Sequence, residues 1–173
     1  MEKSRIIKKI CAALFMFIAV ATVVAAVTLC AVFPNKYANE INTAADEFGL
    51  NRALVRSVVW AESKFNAKAT SEKGAAGLMQ IMPDTFDDCA NALRMKNADI
   101  YDRNDNLRCG CYYLSLLIDK FDGDERAAIM AYNAGEVNAR KFLSGSEVFP
   151  ETAKYVKSVV AARRVYGVFD RAE

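Results

Sequence analysis

Residues Ile10 to Phe33, ICAALFMFIAVATVVAAVTLCAVF, run for 24 positions without a charged side chain. Wound as a helix, such a run is about 36 Å long, enough to cross a hydrocarbon layer about 30 Å thick. It has no polar face to turn toward water, so it stands apart from any globular core in the rest of the chain. A secretory signal carries a shorter apolar region, about 7–15 residues, and a small-residue cleavage site, so the run reads as an uncleaved signal-anchor. A lipoprotein reading of Cys30 is weaker, because the bulky Leu29 directly precedes it. Lys3, Arg5, Lys8 and Lys9 come before the run and only Lys36 follows closely. The positive-inside rule then keeps the amino terminus in the cytoplasm and sends the remainder outward. The expected organisation is a cytoplasmic basic tip over 1–9, one transmembrane helix over 10–33 and an extracytoplasmic domain over 34–173, held at the cell membrane by a single pass.

The anchor inflates the 53% hydrophobic content, and the basic tip supplies the net charge of +2. From Pro34 onward the chain has 19 Lys and Arg against 20 Asp and Glu, a net of −1, which is no electrostatic footprint for nucleic acid. Histidine is absent altogether. That removes Ser-His-Asp and Cys-His nucleophilic catalysis and the usual zinc sites together, leaving acid–base work to carboxylates, Lys, Tyr or Cys. No metal and no cofactor is expected. Of five cysteines, Cys89, Cys109 and Cys111 fall in the outer domain. Cys109 and Cys111, two apart on a helix, point to different sides and make a poor metal pair. They are expected as small buried apolar residues, or as partners for one disulfide to Cys89.

The outer domain shows helical periodicity almost throughout and no internal repeat. A first helix spans Lys36 to Phe48 and stops at Gly49. Asn51 caps a second, which carries Leu54, Val55, Val58, Val59 and Glu62 at helical spacing. After a loop holding Gly74 and Gly77, Pro83-Asp84 opens another helix. Asn104 or Asp105 caps a strong one whose Leu107, Cys111, Leu114, Ile118 and Phe121 share a buried face. Asp124 caps an Ala-rich helix ended by Gly135, a short helix precedes Gly145, and Pro150-Glu151 opens the last, to about Tyr166. The prediction is an all-α domain of about seven helices around one core.

Glu62 sits on or beside the buried stripe of the second of these helices. A glutamate at the edge of an apolar stripe is commonly a snorkelling surface residue or half of a salt bridge. Shielded by side chains such as Val58, Val59 and Trp60, however, its neutral form gains, and a neutral carboxyl can act as a general acid.

Three segments in order, AESKFNAKATSEKGAAGLMQIMPDTF, AAIMAYNAGEVNARKFL and FPETAKYVKSVV, resemble the motifs of the soluble lytic transglycosylase catalytic domain, a lysozyme-like family acting on peptidoglycan. The resemblance runs from about Tyr37 to Tyr166. It implies a lysozyme-like fold and cleavage of the β-1,4 bond between N-acetylmuramic acid and N-acetylglucosamine without water, leaving a 1,6-anhydro muramoyl end. It also implies that Glu62, in its Glu-Ser motif, is the single catalytic acid and then base. Met79 and Gln80 match positions that line the sugar cleft, and Tyr132 and Asn133 match a tyrosine near the acid and an asparagine that holds substrate or loop. Glu151 and Tyr155 match a motif close to the same cleft, and Ser63 is a sugar hydrogen-bonding group or a helix-end cap. Each of these also has a structural reading, as loop packing, capping or core filling. Ala67 departs from the family, which usually has proline there, and so do the cysteines. Neither change removes a functional group.

Two other functions compete. A hydrolytic muramidase of the same fold would need a second carboxylate to position water, with Asp84, Asp87 or Asp88 as candidates by nearness in sequence. A non-catalytic, membrane-tethered glycan-binding scaffold would have no use for a costly shielded acid. The expected partners are peptidoglycan strands and the membrane, with no nucleic acid; which envelope or secretion machinery it serves, the residues do not say. The topology has its own check: protease added to wall-stripped intact cells should digest the chain beyond Lys36 and spare its first nine residues. A soluble, amino-terminally trimmed product would reject the anchor.

Overall fold

The computed structural model describes residues 2–170. Met1 and residues 171–173 lie outside the described residues, as do the side chains of residues 2–4, 7, 8 and 169, which include Lys3 and Lys8 of the expected basic tip. The chain divides into two units, Met1–Asn35 and Lys36–Glu173.

The first unit is one helix, α1 (Glu2–Val32). Its stretch Lys9–Val32 has a mean hydropathy of 2.8 and is long and apolar enough to cross a membrane. Apolar side chains, Phe15 and Phe17 among them, project from it exposed. The two hydroxyls of the Lys9–Val32 stretch are satisfied within the helix: Thr22 donates to the Ile18 carbonyl and Thr28 to that of Val24, each at 2.8 Å. Neither needs water, the condition for a helix in lipid.

The second unit is built from α2 (Ala38–Glu47), α3 (Arg52–Ser63), α4 (Pro83–Ala92), α5 (Arg103–Lys120), α6 (Glu125–Ala134), α7 (Glu136–Leu143) and α8 (Pro150–Phe169). Among the described residues there is no strand, only two isolated antiparallel bridges, Thr70 with Ala76 and Ala76 with Ile81, in the α3–α4 connection. Leu54, Val55, Val58 and Val59 of α3 are fully buried, as are Leu107, Cys111 and Leu114 of α5. The Asn51 side chain accepts from the Leu54 N–H at 2.9 Å and so starts α3, as its sequence position indicates. The start of α5 differs from expectation. Asp102 caps it, accepting from the N–H groups of Asn104 and Asp105 at 2.9 and 3.1 Å, while the Asp105 carboxylate turns back to the N–H of Asp99.

The cysteines form no disulfide. Cys89, Cys109 and Cys111 are buried free thiols, with Cys109 Sγ 3.8 Å from Met95 Sδ. Burial pushes the Cys89 thiol up to about 11 and that of Cys109 up to about 12, so both stay protonated and act as small apolar groups.

Arg56, on α3, is fully buried yet charged. Its guanidinium donates to Asp170, just past α8, at 2.5 Å and to Asn42 of α2 at 2.8 Å, and lies 6.0 Å from the centroid of the buried Tyr166 ring. One cation thus ties the end of the last helix to the first two helices of the unit. Removing a partner from a buried charge costs more than the pair itself is worth. Asp170→Ala should therefore lower stability by about 2–3 kcal/mol, with Asn42 retaining part of the interaction. Thermal unfolding by circular dichroism checks this, and an unchanged midpoint would contradict it.

Candidate active site

Glu62 is the next-to-last residue of α3, where the stripe that buries Val58 and Val59 meets the surface. Tyr155, one turn into α8, donates its hydroxyl to Glu62 Oε1 at 2.6 Å. Burial raises the Glu62 carboxyl from its ordinary 4.5 to about 7, although the Tyr155 hydrogen bond favours the carboxylate and pulls the other way. Near neutral pH the group is therefore close to half protonated, where a single residue can both give and take a proton. Burial holds the phenols of Tyr155 and Tyr132 well above their ordinary range, and the Glu62 charge adds to both shifts. Both remain neutral donors.

The α3–α4 connection is fastened beside this pair by hydrogen bonds from several elements. The Tyr132 hydroxyl, on α6, donates to the Met79 carbonyl at 2.8 Å. Ser63, next to the acid, is buried and donates to the Leu78 carbonyl at 2.8 Å. The Gln80 amide donates to the carbonyls of Ala69 and Gly77 at 3.1 and 3.0 Å, closing the loop on itself. The Met79 side chain is fully buried and lies over Gly110 of α5, where an added Cβ would sit 2.3 Å from Met79 Sδ. Any contact Met79 makes with a ligand therefore falls to its backbone. Asn133 and Glu151 are exposed, Asn133 near the end of α6 and Glu151 one turn before Tyr155.

Asn106 received no role from the sequence, because it lies in the polar opening turn of α5. It is fully buried. Its Oδ1 accepts the Met79 N–H at 2.8 Å, and its Nδ2 donates to the carbonyls of Ala76 and Ile100 at 3.0 and 2.8 Å. Gly77 passes so close, with φ +79°, that an added Cβ would lie 2.1 Å from Asn106 Nδ2. A glycine pressed against a buried amide was the one sequence-level hint, visible only once the two are known to meet.

Asp84, Asp87 and Asp88 are exposed on α4, and no second carboxylate contributes to the Glu62 shift. Among the described residues no three metal-ligating side chains cluster.

The family model for the transglycosylase SLT domain matches residues 39–153, well over half of the chain. The chain belongs to that family. It is 38% identical over 109 residues to the peptidoglycan transglycosylase gp16 of Escherichia phage T7, covering 60% of this chain and 8% of that protein. It is 33% identical over 112 residues to the membrane-bound lytic murein transglycosylase C of Haemophilus influenzae, covering 58% of this chain and 31% of the relative. Among solved structures, an inactive glutamate-to-glutamine mutant of the lytic transglycosylase Slt from Pseudomonas aeruginosa superposes with a TM-score of 0.76 at 28% identity. That match covers 81% of this chain and 25% of the other. The chain thus spans about a third or less of the length of the curated relatives it matches. The lysozyme-like, all-α architecture is the one these neighbours share.

The raised Glu62 carboxyl has a stability consequence. Its folded value, about 7, exceeds the ordinary 4.5, so the folded state holds this proton more tightly than the unfolded one. The group favours folding below about pH 4.5, and that contribution is lost as pH rises to about 7. Glu62→Gln should therefore stabilise the protein by about 3 kcal/mol at pH 8 and by little at pH 4, as read by denaturant unfolding at the two values. Equal effects at both would contradict the buried-acid assignment.

Proposed function

We propose that this protein is a membrane-anchored peptidoglycan lytic transglycosylase in which Glu62 is first acid and then base. The observation that carries the reading is one carboxyl held near neutrality by burial, with a phenol on Oε1 and no second carboxylate influencing it. With Oε1 engaged by Tyr155, the other carboxyl oxygen is the one left to carry the proton. In the proposed reaction Glu62 gives that proton to the glycosidic oxygen as the bond from the muramoyl anomeric carbon breaks. The six-hydroxyl of the same sugar attacks that carbon, and the Glu62 carboxylate takes its proton. The glutamate returns to its starting state, the N-acetylglucosamine hydroxyl is free, and the muramoyl sugar ends as a 1,6-anhydro ring. Because the nucleophile is tethered to the reacting centre, its effective concentration is high and no positioned water is needed.

Relatives bearing the names peptidoglycan transglycosylase and lytic murein transglycosylase support the substrate, and the inactivity of the Pseudomonas glutamate-to-glutamine mutant supports a glutamate-dependent step. The apolar helix α1 and a relative named membrane-bound support the anchor, and the basic tip supports a cytoplasmic amino terminus with the domain outside. Met79, Gln80, Tyr132, Asn133, Glu151 and Tyr155 are proposed to line the sugar cleft, with Ser63 fixing its loop.

Full-length protein in detergent, given peptidoglycan and no metal or cofactor, should release muropeptides one water lighter than lysozyme products. Glu62→Gln should cut the rate by at least about 10²–10⁴-fold, the usual worth of general acid–base catalysis. The wild-type rate should fall as pH rises through about 7, where the acid form is lost. Reducing muramoyl ends would make it a hydrolase, and binding without cleavage would make it a scaffold.

A further inference from the structure

Gln80 is held in a backbone conformation that side-chain-bearing residues rarely adopt. Its φ is +48°, in the left-handed region that glycine favours, and such a residue persists only where its surroundings fix it. The side chain is fixed as well. Both hydrogens of its amide are committed, to the carbonyls of Ala69 and Gly77, so the group has only Oε1 left to offer a ligand. That oxygen accepts from none of the described residues and is open to solvent. A group able to donate or accept is thereby made an acceptor alone.

The hold on this arrangement comes from α5. Asn106 takes the Met79 N–H and gives to the Ala76 carbonyl, so it grips the chain on both sides of Gly77, whose own carbonyl receives the Gln80 amide. Its other amide hydrogen, on the Ile100 carbonyl, keeps Asn106 itself from turning. We propose that Asn106 is a positioning residue for glycan binding: fully buried and out of reach of substrate, it fixes Gln80 Oε1 as the acceptor for a hydroxyl or amide hydrogen of the sugar. The inference rests on the reading of Gln80 as part of the cleft. Without the clasp, Gln80 can relax toward negative φ and its amide can turn, setting a donor where the substrate also brings one. A polar pair left mismatched costs more than a contact that is merely missing.

The test is a double-mutant cycle on the full-length protein in detergent, in the Glu62→Gln background so that nothing is cut, read as affinity for fluorescent glycan strands. Gln80→Ala and Asn106→Ala should each weaken binding roughly tenfold, the scale of one hydrogen bond. Together they should weaken it no further than either alone, because both remove the same contact. In the cutting protein the losses should fall on KM with kcat little changed, since uniform binding is what is removed. A merely smaller folded fraction would lower kcat at unchanged KM. Should Asn106→Ala not fold, Asn106→Asp takes its place in the cycle, keeping the shape and the acceptor without supplying both donors. Factors that multiply in the double variant overturn the proposal, as does full affinity in the Asn106 variant. Gln80→Ala without effect also overturns it, and removes Gln80 from the cleft. If the cycle holds but the wild type cleaves no peptidoglycan, the positioning role stands and the catalytic reading alone fails.

Discussion

The domain is organised around a carboxyl group taken out of water at the end of a helix. Burying Glu62 as a charge would cost several kcal/mol, so the fold keeps it near the point where it can be neutral and gives its one engaged oxygen a neutral donor, Tyr155. That requirement fixes the relation of α3 to α8, since a 2.6 Å hydrogen bond tolerates little sliding. The Arg56 attachment to Asp170, near the other end of α3, holds the same two helices in register. Both helices also bury apolar side chains completely, Val59 of α3 and Val159 of α8 among them. Polar contacts at the ends set the alignment, and apolar packing supplies most of the stability.

The loop that completes the site is ordered in a different way. It has almost no regular secondary structure, and its backbone groups are satisfied by side chains from three helices: Ser63 from α3, Asn106 from α5 and Tyr132 from α6. Asn106 uses its acceptor and one amide hydrogen on this loop and gives the other hydrogen to the Ile100 carbonyl in the α4–α5 connection, which ties the two connections together. Each of these bonds is buried or partly so, and losing one would leave a backbone group without water as a substitute. A loop held this way can present its backbone at a fixed position next to the acid, which is what preorganised chemistry needs.

Much of this was legible in the sequence, and what was not has a common cause. The apolar run, the Asn51 and Asp124 caps and the Pro83 and Pro150 helix starts depend on near neighbours in the chain, and they appear where local rules place them. Glu62 could be singled out because an acid beside an apolar stripe is locally anomalous. The cap of α5 fell on Asp102 because three acceptors compete within four residues and only the chain path from Asp99 decides among them. The bond between Tyr155 and Glu62 joins residues 93 apart, and the clasp of Asn106 on Met79 joins residues 27 apart. No periodicity or spacing encodes such meetings. The family motifs brought the tyrosine to the right neighbourhood, but its contact with Oε1, the burial of the Met79 side chain and the service of Ser63 to the loop are products of packing.

One carboxyl, shielded and engaged on one oxygen, suffices only if the attacking group is part of the substrate. The most direct measurement is therefore the origin of the oxygen in the product. Peptidoglycan digested by the full-length protein in water enriched in heavy oxygen should yield muropeptides whose new muramoyl ends carry no label, because the six-hydroxyl of the sugar closes the ring. Label incorporated at the anomeric carbon in step with cleavage would mean that water attacks, and the account of Glu62 as a lone acid and base for an internal nucleophile would be wrong.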